Sequence, residues 1–209
     1  MKINKEYRTF TGALELRAED GGDGSKRLLS ARFVTYNSSA PYPGYDDVFE
    51  QVAPGCFGDS ITRNDVMCLY NHNFDFVLGR NSAATFSLDD RSDGLYGVVE
   101  INDADSEAVN VYNRVQRGDI RGCSFGAYIT KEDYVSMDDG SVLFVIREAE
   151  LIEVSICPYP FYSDTTVEAR GAGRVEETIK RRREYRDRLF NLKKKKAEEK
   201  INDLKTHAS

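Results

Sequence analysis

The sequence predicts a β-rich α+β fold: a closed β-barrel of about six to seven mostly antiparallel strands flanked by helices, plus a C-terminal charged helical tail. Three observations predict it. Short alternating or apolar runs recur between Gly-, Pro- and Asp-rich turns from Tyr7 to Cys157. Within that span one stretch, from an N-cap within Asp103 to Ser106 through to a C-cap at Gly118, carries strong helix signals. Near Gly171 the composition changes, and Arg174 to Leu204 has neither Pro nor Gly and is rich in Lys, Arg and Glu. The expected division is a body over residues 1–168 and a basic helical tail over 169–209.

Taken in order, Tyr7 to Arg17 alternates as a strand does, with Phe10, Leu14 and Leu16 among its apolar positions. Glu19 to Ser25 is a loop by composition, and Arg27 to Tyr36 is the returning strand. Asn37 to Asp47 holds two prolines and reads as a surface loop before a short strand, Val48 to Val52. Ala53 to Ile61 is a turn entering a short helix. Asp65 to His72 is an apolar run too short for a typical helix, so a buried strand is expected. Thr85–Leu88 and Gly94–Ile101 form an antiparallel pair around Asp89 to Asp93. Asp103 to Ser106 offers an N-cap, Ala108, Val111, Tyr112 and Val115 fall on one helical face, and Gly118 supplies the C-cap. A strand then passes through Ser124, a polar hairpin spans Lys131 to Ser141, and a kinked strand runs from Val142 to Cys157, where Pro158 stops it. In the tail, Val175, Ile179, Leu189, Leu192, Ile201 and others give a broken helical stripe that needs a partner to be stable.

Composition narrows the function classes. The chain has 209 residues with net charge −6. From Gly171 onward there are 13 Lys and Arg against 7 Asp and Glu, which leaves 16 against 28 before it, so an acidic body carries a basic tail. Basic and aromatic residues are not interleaved in the body, and nucleic acid is not an expected partner. No apolar run is long enough for a membrane span, and the first residues lack the apolar segment of a signal peptide. Four widely spaced Cys (Cys56, Cys68, Cys123, Cys157) read as buried, reduced thiols, and with only two His no metal site or cofactor is expected.

The candidate chemistry centres on Gly122-Cys123-Ser124-Phe125-Gly126. Alternation puts Ser124 on one strand face between two glycines, which leaves room for another backbone or a substrate. Serine needs a base to act as a nucleophile at neutral pH. His207 lies in the tail, so an imidazole base has to be His72, at the end of the apolar strand. The other ring nitrogen needs an acceptor. Glu148 and Glu150 share one face of their strand and Glu153 points to the other; either of the first two can serve if the strands are neighbours, and plain salt bridges are the competing use.

Four stretches, in order, resemble the prohead (head-maturation) proteases of tailed bacteriophages: Val52-Ala53-Pro54-Gly55-Cys56-Phe57; Leu69-Tyr70-Asn71-His72-Asn73 with Val77-Leu78-Gly79-Arg80; Gly118 to Gly126; and Glu150-Leu151-Ile152-Glu153-Val154-Ser155. The resemblance implies a serine endopeptidase with Ser124 as nucleophile and His72 as base. That family is similar in turn to the herpesvirus assembly proteases, with a β-barrel ringed by helices and a third catalytic His. Counting back from Val154-Ser155 puts Glu150 in the third place, with Glu148 as second choice. An Arg pair that helps the oxyanion hole in the herpesvirus enzymes is replaced here by Cys157-Pro158. The implied partners are the phage major capsid protein and scaffold, as substrates and assembly partners, with self-cleavage included; the resemblance also allows a homodimer. The implied place is the host bacterial cytoplasm, inside the immature phage head. The tail is then a targeting or scaffold-like element, open to removal by self-cleavage between Thr165 and Gly173. The alternative is a non-enzymatic capsid-assembly or scaffolding protein acting through its tail.

Overall fold

A long strand in a sheet interior must find partners for every N–H and C=O on both of its edges. The strand β11, Val142–Cys157, meets that demand in three ways. The computed structural model describes residues 6–13, 16–20, 26–42, 47–137 and 139–158, with isolated helical positions between 184 and 195. One edge of β11 is covered antiparallel by β10, Gly122–Ser136, joined to it by a turn at Met137 to Ser141. On the opposite edge, β5 (Val48–Val52) runs parallel to Val142–Ile146, and β6 (Met67–Tyr70) runs parallel to Glu153–Ile156.

The gap between them is closed by the turn that follows β5. Ala53 N–H donates to Ile146 O at 3.0 Å, Ala149 N–H donates to Cys56 O at 2.8 Å, and Leu151 N–H donates to Ser60 Oγ at 3.2 Å. Ser60 opens the short helix α1, Ser60–Arg63.

The remaining strands complete two sheets. β1 (Glu6–Ala13) flanks β10, β4 (Ser39–Pro41) flanks β5, and β7 (Asn73–Arg80) flanks β6, giving a seven-stranded mixed sheet. A four-stranded antiparallel sheet has the order β2 (Leu16–Asp20), β3 (Arg27–Thr35), β9 (Gly94–Ile101), β8 (Phe86–Arg91). The single strand expected over residues 7–17 is therefore two strands, one in each sheet. The expected closed barrel is not found: among the described residues no pairing closes either sheet. The reason is β11, which takes two successive partners on one edge, so the large sheet branches there instead of curling shut.

Side chains of both sheets meet in one apolar core that includes Leu29, Phe33, Leu95, Val99, Phe125, Leu151, Val154 and Ile156. Each such side chain contributes roughly 1.5–3 kcal/mol when fully buried. The helix α2, Ser106–Arg117, adds Ala108, Val111, Tyr112 and Val115 to it. Its ends match the sequence signals: Asp105 accepts from Glu107 N–H and Ala108 N–H, and Gly118 at φ 84° ends it in the left-handed conformation. The helix delivers the chain directly to β10. No helix among the described residues is long and apolar enough to cross a membrane.

The chain divides into two units, Met1–Ser163 and Asp164–Ser209. The second is described only at Glu184, Asp187, Arg188, Asn191, Lys194 and Lys195, all helical and exposed. The rest of the expected tail, its stripe and the Thr165 to Gly173 segment lie outside the described residues.

Gly79 shows how close the two sheets come. A Cβ added there would lie 2.4 Å from Val99 Cγ2 and 3.0 Å from Thr85 O. Gly79→Ala is expected to cost about 1–3 kcal/mol by overpacking. A urea titration should show a lower midpoint with an unchanged slope; an unchanged midpoint would show that the crossing yields without cost.

Candidate active site

β10 and β11 set Ser124 directly opposite Ser155, and β6 adds Leu69 beside Ser155 on the far edge. Directly paired residues in a ladder share a face. Gly122 faces Cys157 and Gly126 faces Glu153, so both neighbours of Ser124 on its own side lack a side chain. Ser124, Glu153 and Ser155 are all fully buried.

His72 comes to this row through a tight turn. Tyr70 pairs with Asn73, so Asn71-His72 is a two-residue connection between β6 and β7. Both residues have positive φ, 53° and 56°, the mark of a type I′ hairpin turn. Asn suits the first position, but the second usually holds Gly. A histidine there carries about 1–2 kcal/mol of backbone strain. The turn is fastened over β11 by Asn71 N–H donating to Ile156 O at 2.9 Å and His72 N–H donating to Ser155 Oγ at 3.1 Å.

The fastened turn places His72 Nδ1 2.7 Å from Glu153 Oε1. The other carboxylate oxygen, Oε2, accepts from Ser155 Oγ at 2.6 Å. A carboxylate in a dry site needs such partners, because burying an unpaired charge is costly. An ionised carboxylate can only accept, so the imidazole proton lies on Nδ1 and the Nε2 lone pair is left to take a proton. Ser155 Oγ also lies 3.4 Å from Nδ1.

The two glutamates expected in the third place are elsewhere. Glu150 is held by Arg63 Nη2 at 2.8 Å and by Asn64 Nδ2 at 3.2 Å, at the end of α1. Glu148 is exposed and pairs with Lys131 at 3.2 Å. The physical reason is position along the strand: Glu153 lies level with β6, and Glu150 lies level with the end of α1. Gly126 pairs with Glu153 but Ala127 pairs with Leu151, so β11 bulges at Ile152. The bulge resets alternation before Glu153, so that Leu151 and Val154 both enter the core, whereas Glu153 lies two positions from Ser155 and shares its face by ordinary alternation. Glu150 lies beyond the bulge, about 10 Å further along the strand. Glu153 carried one sequence signal, a carboxylate inside the apolar run Leu151 to Ile156, two positions from Ser155. Ser155 carried none beyond its place in the same run.

The four thiols are buried and free. Cys123, next to Ser124 in sequence, has its thiol pushed well up by burial, with a smaller contribution from Cys157. Burial, then the nearby Glu153 charge, pushes Cys157 up to about 12. Cys56 and Cys68 are also raised, chiefly by burial. A thiol held this far from ionisation is a poor nucleophile. No group of three or more His, Cys, Asp or Glu among the described residues could hold a metal ion. An open groove of about 470 Å³ around Arg63, Asn64, Asn81 and Leu88 includes none of Ser124, His72 or Glu153.

Comparison with known proteins bears on this site. The model of a family described as caudovirus prohead serine protease matches residues 12–181. The chain is 24% identical over 162 residues to the prohead protease of Enterobacteria phage HK97, covering 76% of this chain and 67% of that protein. The solved structure of the bacteriophage T4 capsid assembly protease aligns with 74% of this chain and 98% of its own at 10% identity and a TM-score of 0.49, a likeness too slight to bear on the site.

The raised thiols make two linked expectations. Iodoacetamide at pH 8 should leave the native chain unmodified and add four groups once it is unfolded, read by intact mass. The same groups stay protonated when folded but ionise on unfolding, so their stabilisation is complete below the free-thiol value of 9.0 and is lost as pH climbs toward about 12. Thermal midpoints should fall between about pH 9 and pH 11; rapid native alkylation would contradict both.

Proposed function

Because the chain belongs to the caudovirus prohead serine protease family, we propose that it works as a Ser-His-Glu endopeptidase in which Ser124 is the nucleophile, His72 the base and Glu153 the orienting carboxylate. The observation that carries this reading is the 2.7 Å bond from His72 Nδ1 to the buried Glu153. It fixes the tautomer in which Nε2 accepts a proton.

In the proposed reaction Ser124 Oγ attacks the scissile carbonyl while its proton passes to His72 Nε2. Glu153 stabilises the imidazolium that results. The imidazolium then protonates the leaving amine, which departs as the acyl-enzyme forms. Water, deprotonated by His72, attacks the ester, and the peptide acid leaves Ser124 free. Pro158 has no N–H to donate, so the donors for the oxyanion must come from other backbone amides or from water. Gly122 and Gly126 place no side chain next to Ser124 on its own face of β10, although Ser124 itself is buried.

The substrates we propose are scaffold segments, capsid-protein segments and the chain itself, cleaved inside the immature phage head in the host cytoplasm. The basic segment over residues 169–209 would pack the enzyme into the shell, as an acidic body alone offers no such handle.

Co-expression with the phage's own capsid and scaffold proteins tests the reading. The wild-type chain should shorten a partner or itself, and Ser124→Ala should leave all of them at full length, read by intact mass. Identical uncleaved partners from both would favour the assembly-protein alternative. Glu153→Gln should lower kcat/KM by about 10²–10⁴-fold by losing the correct tautomer, whereas Glu150→Gln should change it little. The reverse ranking would return the third place to Glu150.

A further inference from the structure

We propose that Ser155 is a positioning residue for this reaction, holding both the base and its carboxylate through one hydroxyl. The proposal rests on the Ser-His-Glu reading above and deepens it.

A serine hydroxyl has one proton to give and two lone pairs to accept with. At Ser155 the proton goes to Glu153 Oε2 at 2.6 Å, since an ionised carboxylate can only accept. A lone pair of the same oxygen accepts from His72 N–H at 3.1 Å. The main chain of His72 and the acceptor of its ring are thus tied to one atom. The ring nitrogen Nδ1 lies 3.4 Å from that atom, so carboxylate, hydroxyl and imidazole form a closed group of three.

Each contact restrains a freedom that matters. The terminal torsion of a glutamate is broad and roughly two-fold, so a carboxylate held at one oxygen alone can swing. With Oε2 committed to Ser155, Oε1 is presented to Nδ1. The His72 backbone lies in the left-handed region, at φ 56°, where a non-glycine residue stays only if its surroundings hold it. Its N–H bond to Ser155 is part of what holds it. Ser155 itself is fully buried and lies in the middle of a ladder, opposite Ser124 on one side and beside Leu69 on the other, so its oxygen has little latitude. It touches neither substrate nor a reacting atom in the proposed mechanism, and acts through Glu153 and His72.

Ser155→Ala removes the oxygen and leaves the strand smaller, not larger; Ser155→Thr keeps it. Proton NMR of the full chain should show a low-field Nδ1–H resonance that vanishes in His72→Ala, and this signal reports the His72–Glu153 bond whether or not the chain cleaves anything. In Ser155→Ala the signal should be lost and kcat should fall about 10- to 100-fold, with KM little changed. In Ser155→Thr both should return. Retention of the signal and of wild-type kcat in Ser155→Ala overturns the proposal. So does a fall in kcat with the signal intact, which marks a packing role only. If wild type cleaves no more than Ser124→Ala, the protease reading is what fails, and the resonance still decides what Ser155 does.

Discussion

The hydrogen-bonding demand of β11 shapes both the fold and the site. A buried strand must surrender every backbone donor and acceptor to a partner, and at sixteen residues β11 is longer than any one neighbour on its second edge. The chain from Val48 to Tyr70 meets this demand in sequence: a parallel strand, a turn, a short helix with Ser60 at its start, then a second parallel strand. That path explains the stretch Val52 to Phe57, whose main chain bridges the interval between the two strands. It also explains why His72 arrives where it does, since the turn that holds it follows directly from the last pairing with β11.

Electrostatics imposes the next constraint. Glu153 has no exposure to water, and an isolated charge there would be heavily disfavoured. The nearest groups that can satisfy it are Ser155 on the same strand and His72 from the neighbouring hairpin. The polar cluster and the turn therefore depend on each other. The turn brings an imidazole to the carboxylate, and the strand carrying that carboxylate accepts the turn's amides at Ser155 and Ile156. Strain at His72 and burial at Glu153 are each unfavourable alone and are offset by the same set of bonds.

Much of the fold was legible because its signals are local. The caps of α2 at Asp105 and Gly118, the pairing of β8 with β9, and the end of β11 before Pro158 all follow from residue chemistry within a few positions. Closure was not legible. Whether a sheet branches or curls depends on which strands share an edge of β11, and that is set by contacts far apart in sequence. The site divides in the same way. As candidates, Ser124 and His72 are marked in the sequence by glycine flanks and by scarcity. Glu153 shares a face with Ser155 by regular alternation, but which carboxylate of β11 lies level with the β6–β7 turn is set by the parallel pairing of Glu153 with Met67, and no local signal marks that register. The β-bulge at Ile152 leaves no mark in residue type either, since Ile suits any strand.

The seating of the histidine has a kinetic side. Nothing within the β6–β7 hairpin supplies the carboxylate: the partner of His72 is 81 positions later in the chain. Loop-closure entropy must be overcome before a contact of that span forms, and such long-range pairings are what slow the folding of β-rich proteins. A chain that has made its local hairpins and α2 but has not docked β6 on β11 holds a serine, a histidine and a glutamate with no working relation among them. Competence for the proposed chemistry thus appears together with the tertiary fold, and a half-folded copy would stay inert.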